Sequence, residues 1–332
     1  MNLSWKPLTL VIIAVISMVL FIPSFIVIAF SKDKISNTKD KYSLPDDNSI
    51  HSIVISVYRT STDKVEKVPL EEYVIGVVAS EMNPTFDKEA LKAQALAART
   101  FLTRHMLSDS DNNSSHHNAD ITDSNQIDQV YKNKVELQVL WGDKFHEYYQ
   151  KIQSAVLDTK GQILIYDKKP IDASFFSTSN GYTENSEDYW NLTLPYLRSV
   201  SSPWDKDAPK YISKATFPLN QFEETLGVKV TNSKIVDKTM RTKGNRIKEI
   251  QINGKQFTGR EIRDKFNLNS SDFTIKKVNN NIEFTTKGYG HGVGMSQYGA
   301  NGMAKEGSTY KEILNYYYQD VQITNVNKIL DI

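Results

Sequence analysis

An α+β fold is predicted by the order of three features: long helical patterns early in the chain, short alternating segments after them, and a helical pattern at the end. Ahead of these stands an uncharged stretch that predicts an N-terminal transmembrane helix. The expected organisation is a short cytoplasmic stub (1–7), a transmembrane anchor (8–30), a linker (31–50) and one large mixed helix and antiparallel-strand domain with a substrate groove (51–332).

The anchor is predicted because residues 8–30 carry no charge over 23 positions, which as a helix would span about 34 Å. A cleaved signal peptide is the competing reading. Its apolar region would be shorter and end in small residues, whereas residues 26–30 are bulky. Pro23 is tolerable in such a helix. Lys6 and the amino terminus on one side, against Lys32 and Lys34 offset by Asp33 on the other, favour a single-pass cell-membrane protein with its N-terminus in the cytoplasm and its domain outside. Residues 31–50 are polar, as a linker should be.

In the domain, residues 53–57 alternate as a first strand and 65–68 as a second. Pro69 opens a helix whose first turn holds Glu71 and Glu72 against the positive end of its dipole. Tyr73, Val74, Val77, Val78 and Glu81 share a face, and Pro84 ends the helix. Residues 87–105 predict a second helix with Leu91, Ala95, Ala98 and Leu102 as its buried stripe. Residues 106–129 turn polar and read as a surface insertion. A helix over 134–157, paired strands at 162–166 and 171–176, and a polar loop at 177–183 follow. Asn253-Gly254 predicts a hairpin inside 246–257, and Thr258 with Glu261 a capping box. Residues 282–286 enter the glycine run as a strand, and 310–318 leave it as a helix.

Composition removes some functions. Without residues 1–30, whose only charge is Lys6, the chain carries 39 basic and 39 acidic residues. No basic field exists to draw a polyanion, so nucleic acid is not expected as a partner. Zero cysteines leave the redox compartment open.

Five of the fifteen glycines fall within residues 288–300, GYGHGVGMSQYGA. Such a run leaves backbone groups bare for a ligand and makes positive φ available, and it brings His291, Ser296, Gln297 and Tyr298 with it. The alternative is a tight turn with incidental polar side chains. Glu81 is the chemical candidate: an apolar helix end beside a proline-forced corner desolvates a carboxyl and raises its pKa toward that of a general acid. The competing reading is a solvated helix-end glutamate. Arg99, on the inward face of the second helix, needs an acceptor and could pair with Glu81; Gln94 is similarly placed. His291 could carry a proton, donate to a substrate, or be a satisfied loop histidine. A Ser296–His291 nucleophilic pair is disfavoured by its five-residue spacing. Adjacent His116 and His117 would point apart, with Asp120 and Asp123 the nearby acids, so no metal is expected there.

Residues 69–101 (PLEEYVIGVVASEMNPTFDKEALKAQALAARTF), the run GHGVGMSQYGA and the closing AKEGSTYKEILNYYY resemble the stage II sporulation protein D (SpoIID) family of lytic transglycosylases, as do residues 161–200 and 258–268. The resemblance implies cleavage of peptidoglycan glycan strands between N-acetylmuramic acid and N-acetylglucosamine, leaving 1,6-anhydro ends, with Glu81 as the catalytic acid. It further implies substrate-binding roles for Arg99, Ser177, Ser179, Thr183, His291, Ser296, Gln297 and Tyr298, with Glu184 as a second acid in reserve. It also implies peptide-stripped strands as substrate, and a cell-wall amidase and membrane scaffold proteins of forespore engulfment as partners, acting at the septum between mother cell and forespore. Some members hold zinc with Cys and His in the segment matching 116–131. Here His116 stands with Thr122, Ile127 and Asp128, so neither a metal nor any other cofactor is expected. A non-catalytic glycan-binding or scaffold protein is the rival reading, and a serine peptidase using Ser296 a distant third.

Overall fold

The computed structural model describes residues 53–109, 119–124, 128–230 and 235–331. It is a mixed helix and strand fold gathered around two hydrophobic clusters. The elements run β1 (Val54–Arg59), β2 (Lys64–Pro69), α1 (Leu70–Glu81), α2 (Lys88–Asp109), β3 (Ile121–Thr122), α3 (Lys134–Trp141), α4 (Phe145–Leu157), β4 (Gln162–Tyr166), β5 (Lys169–Pro170), β6 (Phe175–Phe176) and α5 (Glu187–Trp190). They continue through β7 (Ile212–Pro218), α6 (Leu219–Leu226), β8 (Val236–Arg241), β9 (Ile247–Ile252), β10 (Lys255–Thr258), α7 (Gly259–Lys265), β11 (Phe273–Val278), β12 (Asn281–Lys287), β13 (Met295–Ser296), α8 (Gln297–Lys305), α9 (Tyr310–Tyr317), β14 (Gln322–Asn325) and α10 (Asn327–Leu330).

The larger cluster is built on α1 and α2. Tyr73, Val74, Val77 and Val78 of α1 meet Leu91, Ala95, Ala98 and Leu102 of α2, all with no exposure. Each valine so buried contributes about 1.5–3 kcal/mol, and the alanine stripe lets the backbones approach closely. Helices α4, α8 and α9 and the small sheet β14-β4-β5 complete this cluster. The second cluster is aromatic: Phe222, Phe266, Phe273 and Phe284 meet at ring distances of 5.0–6.0 Å on the antiparallel sheet β11-β12-β7, beside the sheet β10-β9-β8.

The Asn253-Gly254 hairpin forms as its chemistry requires, with φ of 46° and 80° joining Ile252 to Lys255. The capping box of Thr258 and Glu261 opens α7. Two local expectations are corrected. The helix over 134–157 breaks at Gly142, whose φ of 50° interrupts the ladder. The strand expected at 171–176 joins 162–166 only through the Ile171 N–H to the Leu164 carbonyl at 3.2 Å. Instead β4 pairs with the short β5, and Phe175–Phe176 lies parallel to Met295–Ser296 of the glycine run.

The expectation of a transmembrane helix is also corrected. Among the described residues no helix is long and apolar enough to cross a membrane. The stretch 8–30 on which that expectation rested, and with it the single-pass cell-membrane placement, lies outside the described residues.

Candidate active site

Glu81 is the last residue of α1. Met82 turns to extended backbone, φ −115° and ψ 152°, one residue before the Asn83-Pro84 pair that disfavours further helix. The half-buried Glu81 carboxylate accepts a hydrogen bond from the Val130 backbone N–H at 3.0 Å. Burial raises its pKa and the Val130 bond opposes the rise. Val130 reaches Glu81 because Gly76 lets residues 131–132 lie on α1. A Cβ at Gly76 would fall 2.5 Å from the Lys132 carbonyl and from the Tyr131 ring, and that ring stacks on Tyr73 at 5.3 Å.

The corner between α1 and α2 lies against the helix that leaves the glycine run. Phe86 meets the Tyr298 ring edge-on at 4.9 Å, and the Asp87 N–H donates to Asn301 Oδ1 at 2.8 Å. The Tyr298 N–H donates to the Ser177 carbonyl at 3.1 Å. Gln297 Nε2 donates to Oε1 of the fully buried Gln94 at 3.4 Å. Tyr298 and Asn301 thus meet the corner that follows Glu81, Ser177 adjoins Tyr298, and Gln297 reaches α2 at Gln94.

Several expected site residues sit elsewhere. Arg99 has no exposure and does not pair with Glu81. Its Nε and Nη2 reach Glu71 Oε1 and Oε2 at 3.1 and 2.5 Å, and Nη1 donates to the Gln162 carbonyl at 2.9 Å. Glu71 also takes the Gly161 N–H at 3.0 Å. At the level of Arg99, α2 lies beside the first turn of α1, so Arg99 reaches the dipole-capping glutamate. Ser296 is buried as the N-cap of α8 and donates to Asp205 Oδ1 at 2.5 Å, so it has no pairing with His291. Ser179 is buried on the same aspartate, through its N–H at 2.7 Å and its hydroxyl at 2.8 Å. Thr183 is buried between Arg198 and Val200 backbone groups. Glu184 is buried against Arg246 at 3.3 Å and takes the Thr242 hydroxyl at 2.8 Å; burial lifts its pKa, and Arg246 and Thr242 counter the rise.

His291 is held at both ring nitrogens, Nε2 to the Phe175 carbonyl at 2.9 Å and Nδ1 from the Val293 N–H at 3.1 Å. Nε2 therefore carries the hydrogen and the ring is neutral. Burial, with the nearby Arg263 and Arg246 charges, lowers its pKa to about 4. Phe176, Tyr189 and Trp190 surround it at ring distances of 5.5–5.7 Å. Beneath the loop, Gly292 is required by Arg246: a Cβ there would fall 2.3 Å from the guanidinium carbon, and φ is 92°.

Sequence reasoning missed Asp205, Glu71 as the partner of Arg99, and Arg246. Asp205 lies in a short 3-10 turn after Pro203, where no periodicity marks it.

In the segment where the resemblance implies a zinc site in other members, Thr122 and Asp128 are joined directly, N–H to Oδ2 at 2.8 Å. His116 and Ile127, like His117, lie outside the described residues. Among the described residues no group of three or more His, Cys, Asp or Glu could hold a metal. A threonine hydroxyl is a poor substitute for thiolate or imidazole, so this donor set does not fit zinc.

Residues 58–166 match the family described as SpoIID, stage II sporulation protein. The chain is 48% identical over 327 residues to stage II sporulation protein D of Bacillus subtilis (strain 168), covering 95% of each. It is 45% identical over 341 residues to the protein of that name in Bacillus amyloliquefaciens, covering 98% of each. It is also 26% identical over 306 residues to the amidase enhancer of Bacillus subtilis (strain 168), covering 75% of this chain and 40% of that protein. With such identity across nearly its whole length, the chain belongs to the stage II sporulation protein D family, a family of sporulation proteins.

Proposed function

We propose that residues 51–332 act as a lytic transglycosylase on peptide-stripped peptidoglycan strands during forespore engulfment. The observation that carries the reading is Glu81: a half-buried carboxyl with a raised pKa, at a helix end whose following corner, through Phe86 and Asp87, packs on the helix that leaves the glycine run. Protonated Glu81 gives its proton to the glycosidic oxygen as the bond to C1 of N-acetylmuramic acid breaks. The resulting carboxylate takes the proton of the C6 hydroxyl, whose oxygen bonds to C1 and closes the 1,6-anhydro ring. No water is added and the acid is regenerated, so one carboxyl serves where hydrolases use two. Ser177, Gln297 and Tyr298 contact the strand, and Arg99 acts as a positioning residue through Glu71. Similarity to an amidase enhancer supports a cell-wall setting in which an amidase supplies stripped strands.

The test is mass spectrometry of products from peptide-free strands, with Glu81→Gln in parallel. Sugars ending in 1,6-anhydro-N-acetylmuramic acid, absent from the variant, are expected. Ends carrying an added water would mean a hydrolase. Binding without cleavage would mean a glycan-binding protein.

A further inference from the structure

The segment 185–199 builds a rigid strap. Arg198 grips Glu187 through Nη1 to Oε1 at 2.8 Å and Nη2 to Oε2 at 2.5 Å, and it adds the Ser186 hydroxyl at 3.1 Å and the Leu194 carbonyl at 2.9 Å. The Leu194 N–H returns to the Ser186 hydroxyl at 2.8 Å. This strap holds the single turn of α5, and α5 presents Tyr189 and Trp190 edge to face at 5.5 Å. Both rings rest on His291, and both are half-buried, each keeping part of its surface at the solvent. Leu192 beside them is 55% exposed. The Arg260 guanidinium lies 4.5 Å over the Tyr189 ring and donates to the Tyr189 carbonyl at 3.0 Å, while remaining largely exposed and 3.7 Å from Asp264.

We infer that Tyr189 and Trp190 form a saccharide-stacking platform that takes a pyranose ring of a β-1,4-linked N-acetylhexosamine strand. The inference rests on the glycan reading above and adds a subsite to it. Three observations select a sugar. The negative faces of aromatic rings attract the weakly positive C–H edges of a pyranose, and Arg260 places donors beside them for hydroxyl and acetamido oxygens. His291, with both nitrogens bound to backbone, offers no proton to chemistry and acts as the base on which the two rings rest. Two half-covered rings present at most about 200 Å², against roughly 800 Å² on each side of a stable protein interface. Rigidity suits the weak binding of sugars, because the strap is ordered before the ligand arrives.

The experiment is titration of the full chain with the N-acetylglucosamine hexamer, for wild type, Trp190→Ala and Trp190→Phe, while following the Trp190 indole N–H by NMR. The expected result is binding about three- to tenfold weaker in Trp190→Ala, largely restored in Trp190→Phe, with the wild-type indole signal moving on titration. Equal binding by all three chains, or an indole signal that does not move, overturns the platform. If the melting temperature of Trp190→Ala shows misfolding, Trp190→Phe and the indole shift decide alone. Trp190-dependent binding of the hexamer, with no anhydro products from peptide-free peptidoglycan strands, would overturn the transglycosylase reading and keep the platform. Anhydro products with binding indifferent to Trp190 would do the reverse.

Discussion

The Val130 backbone N–H and the Glu81 carboxylate meet at 3.0 Å across 49 residues of sequence, and that bond opposes the rise that burial imposes on the Glu81 pKa. An acid so placed stays protonated above the ordinary carboxylate range while keeping a fixed partner for its ionised form.

Glu81→Gln keeps the shape and removes the proton. Cleavage of peptide-free strands should fall by about 10²–10⁴-fold. In the wild type the rate should decline as pH rises through the raised Glu81 pKa. Stability has the same sign: the folded state holds this proton above the unfolded pKa, so unfolding free energy falls as pH climbs from 4.5 through the folded value. Urea melts of wild type and variant across pH measure the difference. A Glu81→Gln chain with the wild-type pH dependence would rule out this role.

Arg99 is tested by stability first. Arg99→Ala leaves Glu71 buried without its fork-shaped partner and should cost about 3–5 kcal/mol. Arg99→Lys keeps the charge but cannot make both bonds to Glu71, and should fall between the alanine variant and wild type. Denaturant midpoints decide. A neutral Arg99→Ala would show that the pair holds α1 and α2 together less than its geometry suggests.

Asp205 collects four hydrogen bonds with no exposure: two from Ser179, one from the Ser202 hydroxyl and one from Ser296. Asp205→Ala removes the shared acceptor, leaving the Ser179 N–H unpaired and the three hydroxyls to their second partners, the Ser202 carbonyl, the Tyr317 hydroxyl and the Ser177 carbonyl, and should destabilise by about 1–3 kcal/mol. Ser296→Ala removes one of them and an N-cap, costing about 1–2 kcal/mol, with the product ends of glycan cleavage unchanged. Loss of a covalent acyl intermediate in that variant would instead point to a serine nucleophile.

His291 should remain neutral at pH 7 as the Nε2–H tautomer, read from its ring nitrogen shifts. Its folded pKa of about 4 lies below the ordinary histidine value of 6.5, so the unfolded chain binds this proton first as pH falls. Stability should therefore drop by on the order of 2–3 kcal/mol between pH 6.5 and 4. His291→Phe should flatten that part of the profile. A ring that titrates near 6.5 would contradict the burial of this site.

Periodicity and turn chemistry act over a few residues, and elements that rest on them formed as read. The stripes of α1 and α2, the Asn253-Gly254 hairpin and the capping box of α7 are of this kind. The helix at 134–157 failed at Gly142 because a single positive φ outweighs the helical preference of its neighbours. The parallel pairing of Phe175–Phe176 with Met295–Ser296 joins residues 120 apart, and no local pattern encodes such a partner.

Local chemistry in the sequence was enough to determine the helix that ends at Glu81 and the glycine run beside Tyr298, and likeness to relatives along the whole chain gave the family. Only the tertiary structure decided where the buried charges go. Glu71 claims Arg99, Asp205 claims Ser179 and Ser296, Arg246 claims Glu184, and backbone groups claim both nitrogens of His291. The physical reason is that a buried polar group takes whichever partner the packing of distant segments brings within about 3 Å, and that partner is set by three-dimensional proximity, to which spacing along the chain is blind.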